Sequence, residues 1–332
     1  MAGHGEQRNT GVVRNYEFAI ARGTVAPDGY SKDMLLINGE YPGPPIEANW
    51  GDTIQVTVNN AIANPVEGTT IHYHGLMNQN SEWEDGVSGV SKCPIAPGGS
   101  FTQTFKATPY GSTFYHSHYS SQYADGLWGP MIIHGPKNEL YDIDLNTTST
   151  STTGPCVNNA GVAKFNFISG KKYRLRLINS GIAAIQKFSI DGHNMTVFAN
   201  GFIPIEPYTT NIVWICSRIS SGECTEPANQ PIALATIYYE KANTTGSPGA
   251  NSVAQVDNTP PCENDALSQT VAAYHIATGD PATTIDMAVN FTINATNHLA
   301  WTINDSGFRA NFNNPLLLLA NAGNDSYPYD PE

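Results

Sequence analysis

The chain has 332 residues, which is long for a single domain and indicates two or three. Charged residues make up only 14% of it, and the formal net charge is -13. A polyanion would be repelled by that charge, which argues against nucleic acid as a partner. No run of apolar residues approaches the length of a membrane span, so none is predicted.

The composition predicts an all-β fold, because Tyr and turn residues are frequent and stretches rich in Ala, Glu, Lys and Leu are rare. Residues 13 to 135 alternate polar and apolar positions as strands do. Within them, Ile54, Val56 and Val58 fall on one face of a predicted strand. Turn sequences rich in Pro, Gly, Asp and Asn separate the runs, a spacing typical of a β-sandwich or barrel.

A second β unit is predicted beyond the Thr- and Ser-rich tract at 146–154, which reads as a linker. Residues 172–178 alternate cleanly and predict a strand. Phe188-Ser-Ile and Met195-Thr-Val-Phe lie on either side of Asp191-Gly192, a pattern that predicts a hairpin.

Two segments stand apart because each carries a His-x-His pair, His72 with His74 and His116 with His118. In a strand, residues i and i+2 project from the same face, so each pair presents two imidazoles side by side. Imidazole suits copper, zinc, iron or nickel. Chance placement of nine His would give roughly 0.24 such pairs, although two pairs of solvated surface histidines remain the alternative. The other histidines stand alone and are assigned no metal: His4, His134, His193, His275 and His298.

Five motifs follow one another between residues 13 and 136. They are His72-Tyr-His-Gly75, Trp83-Glu-Asp-Gly-Val87, Cys93-Pro-Ile-Ala-Pro-Gly98, Phe114-Tyr-His-Ser-His118 and Asp125-Gly-Leu-Trp-Gly-Pro-Met-Ile-Ile-His134-Gly135. Their order and spacing resemble the first cupredoxin domain of the multicopper oxidase family. The chain as a whole looks most like an ascomycete-type fungal laccase. That resemblance implies tandem cupredoxin-like Greek-key β-sandwich or barrel domains.

The resemblance implies roles for five residues. His72 would serve a type 2 copper, and His74, His116 and His118 a type 3 copper pair, which together form a cluster that reduces O2 to water. Asp85 matches an acidic residue that relays protons to that cluster, and a carboxylate beside metal-bound oxygen is a suitable donor. Without the resemblance, Asp85 followed by glycine is an ordinary turn signal.

The resemblance also implies a domain plan. Residues 13–145 would be the first cupredoxin domain and 155–245 a partial second one. Residues 246–283 would be a linker, and 284–332 the start of a third domain that is cut short. In a laccase, Cys and two His of the third domain hold the type 1 copper, and a His-Cys-His segment carries electrons from it to the cluster; this sequence has no His-Cys-His segment. The type 1 site is therefore expected to be absent, leaving the type 2 and type 3 sites incomplete.

Cysteines and glycosylation sequons indicate whether the protein is secreted. The resemblance implies a disulfide between Cys224 and Cys262, and for Cys93 a partner that this chain lacks; Cys156 and Cys216 receive no assignment. Secretion is expected from the family and from the sequons, although no signal peptide is visible at the N-terminus. The sequons begin at Asn146, Asn194, Asn243, Asn290, Asn294, Asn304 and Asn324.

Three hypotheses about function follow. By family, the protein is a laccase-type oxidase that oxidises phenolic substrates and reduces O2 to water, but the chain alone is expected to be inactive without a type 1 site. The alternative is a non-catalytic copper-binding fragment. A poorly folded remnant without function is the third.

Overall fold

The computed structural model describes residues 9–27, 29, 31–136, 139–145, 163–182, 186–210, 216–219, 232–240, 267–274, 276–293, 297–324 and 329–330. Within these ranges the regular structure consists of twenty strands, one six-residue α-helix and two short 3-10 helices. The predicted all-β class is therefore confirmed. None of the helices in this part of the chain is long and apolar enough to cross a membrane.

The first eight strands form two sheets of four strands that enclose one core. In chain order they are β1 (Val13–Val25), β2 (Lys32–Ile37), β3 (Ile46–Asn49), β4 (Thr53–Asn60), β5 (Ile71–Tyr73), β6 (Ser100–Lys106), β7 (Gly111–Ser117) and β8 (Trp128–His134). One sheet has the order β2-β1-β4-β6 and the other β3-β8-β7-β5. The pairs β1–β4 and β3–β8 are parallel, so strands that are distant in sequence become neighbours.

The core of this sandwich follows the period of two that strands impose. Ile54, Val56 and Val58 are fully buried, as predicted, while the intervening residues of β4 are partly exposed. On the opposite sheet, Tyr73 and Tyr115 are also fully buried. Each large apolar side chain removed from water contributes about 1.5–3 kcal/mol, so this face strongly specifies the register of its strands.

The next eight strands form one four-stranded sheet and two two-stranded sheets. They are β9 (Ile143–Asp144), β10 (Ala163–Phe167), β11 (Tyr173–Arg174), β12 (Gln186–Ser189), β13 (Met195–Asn200), β14 (Ile203–Thr210), β15 (Cys216–Ile219) and β16 (Ile232–Tyr239). Their sheets have the orders β10-β16-β15-β12, β11-β9 and β13-β14. Phe202, in the turn between β13 and β14, packs into the core of the first sandwich. The two groups of strands therefore share buried apolar surface.

Two predictions within this group are wrong. The strands on either side of Asp191-Gly192 do not form a hairpin, because β12 pairs with β15 and β13 pairs with β14. The turn instead carries the chain from one sheet to another. In the alternating run at 172–178, only Tyr173–Arg174 is a strand, and it pairs in parallel with β9.

The last group contains β17 (Val289–Ile293), β18 (Leu299–Ile303), β19 (Ser306–Phe308) and β20 (Tyr329–Asp330), which form one sheet in that order. Between β19 and β20 lies the helix α1 (Leu316–Asn321). The first turn of α1 docks on the first sandwich: the Leu316 amide donates to the Gly89 carbonyl at 3.2 Å, and the Leu317 amide to the Val90 carbonyl at 2.8 Å.

Candidate metal centre

The strand pair β5–β7 places the predicted histidines. The two strands are antiparallel, and the register sets His72 opposite His116 and Tyr73 opposite Tyr115. Because side chains alternate between faces, the two tyrosines enter the core and the histidines face the other way. His74 and His118 each follow directly on the last residue of these strands, β5 and β7 respectively.

All four predicted metal residues come together. The ligand nitrogens of His72, His74 and His116 all lie within 4.8 Å of one another. The ring centroid of His72 is 5.3 Å from that of His116 and 5.8 Å from that of His74. The ring of His118 joins the same cluster, with its centroid 5.6 Å from His72 and 5.8 Å from His116.

Backbone carbonyls orient two of the imidazoles. The Nδ1 of His72 lies 2.7 Å from the carbonyl oxygen of Asp85, and the Nδ1 of His116 lies 2.9 Å from that of Ser117. A carbonyl oxygen only accepts, so Nδ1 carries the proton in both rings and Nε2 keeps its lone pair. A hydrogen bond of this kind on the second ring nitrogen is typical of metal-binding histidines.

Asp85 lies beside this cluster, where its proposed role requires it. It is the last residue of a 3-10 helix, Glu82–Asp85, and its Oδ1 is 3.3 Å from the Nδ1 of His72. Asn78 donates from Nδ2 to the same oxygen at 3.2 Å. The next residue, Gly86, has a φ of +82° and no room for a side chain, because a Cβ would lie 1.9 Å from the Ile71 carbonyl oxygen.

The electrostatics keep most of the cluster neutral. Burial, together with the neighbouring imidazoles, lowers the pKa of His116 to about 4. Burial and the charge of His72 lower the pKa values of His74 and His118 as well. Burial would also lower the pKa of His72, but its hydrogen bonds with Asp85 outweigh burial and raise it. Neutral imidazole is the form that binds metal.

Aromatic rings line the cluster. The Phe114 ring stacks on the imidazoles of His74 and His116, with centroids 4.9 and 5.0 Å apart. The Tyr123 ring lies 4.6 Å from that of His116. Sequence reasoning did not assign either ring to the site. Phe114 lies two positions from His116 in β7, so its place on the same face could have been found from the period of the strand.

The chain resembles known proteins over nearly its whole length. Multicopper oxidase family models match residues 19–138 and 113–226. The chain is 30% identical to the laccase of Botrytis aclada, whose crystal structure matches with a TM-score of 0.79 over 96% of this chain and 68% of that one. The chain belongs to the multicopper oxidase family. The tandem cupredoxin-like fold that the sequence predicted is thereby confirmed.

Two curated relatives in this family are similar to the chain along most of its length. It is 35% identical to Laccase-2 of Botryotinia fuckeliana over 380 residues, and 35% identical to Oxidoreductase OpS5 of Beauveria bassiana over 387 residues. Each match includes 97% of this chain and 64% of the relative. The chain therefore spans about 64% of the length of these two relatives.

The donor set fits the copper that a multicopper oxidase binds. Imidazole nitrogen is a suitable copper ligand, and the nitrogens converge from two strands whose register is held by a buried core. The Nε2 atoms of His72 and His116 are free to bind metal, because Nδ1 of each ring is engaged with a carbonyl.

Three of the histidines that were assigned no metal lie in the part of the chain that the structure describes, outside the cluster. The Nε2 of His134 is 3.1 Å from a carboxylate oxygen of Glu47. His193 bonds through Nδ1 to the Asp191 carbonyl and through Nε2 to the Tyr239 hydroxyl. His298 directly precedes β18. His4 and His275 lie outside the described residues.

Two of the five cysteines lie within the described residues. Cys93 is a free, exposed cysteine, and Cys216 is the first residue of β15. Cys156, Cys224 and Cys262 lie outside the described residues, so the Cys224–Cys262 disulfide stays a prediction.

Proposed function

We propose that this chain carries half of the trinuclear copper centre of a laccase-type multicopper oxidase. His72 would hold the type 2 copper, and His74, His116 and His118 would bind the type 3 pair. The observation that carries the proposal is the convergence of four imidazoles across β5 and β7. The 35% identity to Laccase-2 supports phenolic substrates and O2 as the reactants of the whole enzyme.

When bound, copper would supply one-electron oxidation and the reduction of O2 to water. The residues of this chain would orient the metal ligands and supply protons. The Asp85 carbonyl fixes the ring orientation of His72. The Asp85 carboxylate oxygen Oδ1 lies next to that ring, where it can accept and release a proton. Asn78 holds Oδ1 in place from the other side. Asp85 is therefore the residue that we propose as the proton relay.

A second candidate function is copper binding without turnover. It is favoured by the absence of a His-Cys-His segment from the sequence, which a type 1 site in this family contains. In this proposal the four histidines hold copper, but electrons from a phenol do not reach it through the residues of this sequence. Phenol oxidation would then require further polypeptide.

We also propose that the protein is secreted and glycosylated, in line with its seven sequons. The Asn290 and Asn304 sequons start on exposed residues of β17 and of the turn after β18. Enzymatic removal of N-glycans from the protein secreted by a fungal host should lower its mass. An unchanged mass would contradict glycosylation.

Copper content tests the proposal. The purified chain, dialysed after exposure to Cu(II), should retain copper and show the EPR spectrum of nitrogen-ligated Cu(II). The double variant His72→Ala/His116→Ala should lose most of that copper. His134→Ala is the matched control, because it removes an imidazole that lies outside the cluster and should leave copper content unchanged. Equal copper in the double variant and in the wild type would overturn the proposal.

Oxygen uptake separates the two candidate functions. A self-sufficient oxidase should show an intense blue thiolate-to-copper absorption band and phenol-dependent consumption of O2. A chain that binds copper without turnover should retain copper and show neither signal.

A further inference from the structure

Gln103 lies beneath the histidine cluster and joins strand β5 to the 3-10 turn Glu82–Asp85. It belongs to β6, on the sheet opposite to β5, and it is fully buried. Its Nε2 donates to the Ile71 carbonyl at 3.0 Å and to the Glu84 carbonyl at 2.7 Å. Its Oε1 accepts from the Tyr73 hydroxyl at 3.2 Å. Both amide N–H donors and the amide oxygen are thus engaged.

The partners of Gln103 identify what it holds. Ile71 and Tyr73 stand on either side of His72 in β5, and Glu84 directly precedes Asp85. One amide group therefore ties the strand that presents the His72 imidazole to the turn that presents the Asp85 carboxylate and carbonyl.

The local structure explains why such a tie is needed. Strand β5 has only three residues and lies at the edge of its sheet, with β7 on one side. The carbonyl of Glu84 lies near the end of a single 3-10 turn, where carbonyls lack a partner within the helix. Gln103 reaches across the sandwich and supplies a donor to both, in a place that no water reaches.

We propose that Gln103 is a positioning residue of the copper centre. By holding β5 against the turn, it keeps the His72 Nδ1 within hydrogen-bond distance of the Asp85 carbonyl, which holds the proton on Nδ1 and leaves Nε2 to the metal. The consequence for copper rests on the proposed function, since it requires that His72 be a ligand. The consequence for the His72 tautomer does not.

The first measurement is made on the copper-free chain. Long-range 1H–15N correlation spectra of the histidine side chains, recorded at a pH high enough to keep the His72 ring neutral, should show His72 as the Nδ1–H tautomer in the wild type. In Gln103→Met, which keeps the bulk but removes the donors, a large part of that population should move to other states. Gln55→Met is the matched control, because the Gln55 side chain donates to the Thr104 hydroxyl on the outer face of the same sheet.

The second measurement is copper affinity, by competition with a chelator. Gln103→Met should weaken Cu(II) binding by about tenfold, the lower end of the loss seen when supporting residues of metal sites are changed. Its EPR spectrum should also broaden. Ile54→Val, a loss of core packing without loss of a hydrogen bond, controls for reduced stability and should leave the affinity and the spectrum unchanged.

Each outcome of these two measurements either supports or overturns the proposed role of Gln103. Wild-type His72 tautomer and wild-type affinity in a folded Gln103→Met would overturn the proposal. If that variant does not fold, the nearly isosteric Gln103→Glu, which lacks the paired N–H donors, decides by the same two measurements. If the wild type itself binds no copper, the proposed function fails, while the change of His72 tautomer still tests the role of Gln103.

Discussion

His72 faces His116 directly across the antiparallel pair β5–β7, and their ring centroids lie 5.3 Å apart. The two residues are brought together by strand register and by the buried tyrosines that follow the same register on the other face. The cluster is therefore assembled by the sandwich itself. Substitutions that leave the sandwich intact should change metal binding without unfolding the protein.

Asp85→Asn tests the carboxylate beside His72. The substitution keeps the backbone carbonyl that orients the ring but removes the negative charge near Nδ1. Cu(II) affinity should fall by about tenfold, because a supporting carboxylate raises the basicity of a ligating imidazole. A chelator competition measures it. Glu82→Gln, an exposed carboxylate in the same 3-10 turn, should have little effect, and equal losses in the two variants would contradict a specific role for Asp85.

Asp52 should make the first sandwich sensitive to acid. Its buried carboxylate accepts hydrogen bonds from Thr10, from the Arg14 Nε at 2.8 Å and from the Asn49 amide at 3.0 Å. Burial would raise the pKa of Asp52, but these bonds outweigh burial and lower it. Because the pKa of Asp52 is lower in the folded state, the ionised carboxylate stabilises the fold at pH values above the unfolded-state pKa of about 3.9. This stability is lost as the pH falls through the folded-state pKa.

Asp52→Asn should therefore lower the free energy of unfolding by about 2 kcal/mol at pH 7, as expected for loss of hydrogen bonds to a charged group. Urea unfolding at pH 7 and at acid pH below the folded-state pKa of Asp52 measures the difference. The gap between variant and wild type should shrink at the acid pH, where the wild-type carboxyl is neutral too. An equal gap at both pH values would show that the charge of Asp52 contributes nothing.

Lys92 should destabilise the fold in its charged form. Its Nζ is buried, has no hydrogen-bond partner among the residues that the structure describes, and lies 3.1 Å from the centroid of the Phe101 ring. Burial lowers the pKa of Lys92 from 10.5 to about 8. Below the unfolded-state pKa, the unfolded chain binds the proton more readily than the folded one, so the stability of the wild type declines as pH falls from about 10.5 to about 8.

Lys92→Met should accordingly gain stability relative to the wild type over that pH interval, by up to about 3 kcal/mol, with no further gain below it. Thermal or urea unfolding across the interval measures the difference. Lys32→Met removes an exposed ammonium and serves as the control for loss of a charge. A difference that does not change with pH would contradict the burial of a charged Lys92.

Gly89→Ala should loosen the contact between the helix α1 and the first sandwich. Gly89 has a φ of +75°, and a Cβ there would lie 2.9 Å from the Cβ of Ala310. Hydrogen exchange at the amides of Leu316 and Leu317 should become faster, because these amides donate to the carbonyls of Gly89 and Val90.

Gly98→Ala is the control for this prediction. Gly98 has a φ of +74° with nothing near its Cβ position, so it carries the backbone penalty of about 1–2 kcal/mol alone. Faster exchange in α1 for both variants would attribute the effect to global destabilisation instead of to the contact.

Much of the centre could be predicted from the sequence, because His72 and His74, like His116 and His118, share a face wherever their segments form strands. The pairing of His72 with His116 could not, since register depends on contacts between residues 44 positions apart. Gln103 was missed for the same reason: its partners lie on the opposite sheet and in the 3-10 turn, far from it in sequence. The hairpin around Asp191-Gly192 was wrong because a local turn signal does not specify which strands pair.

The alternation of β5 has a consequence for how this protein can vary. Tyr73 is fully buried between two histidines that face the other way, so deletion of one residue within β5 would turn an imidazole into the core and the phenol ring out of it. The length of this segment is thereby locked by two separate demands, ligand geometry and the filling of the core. Insertions and deletions should be tolerated in the loops on either side of β5 long before they are tolerated within it.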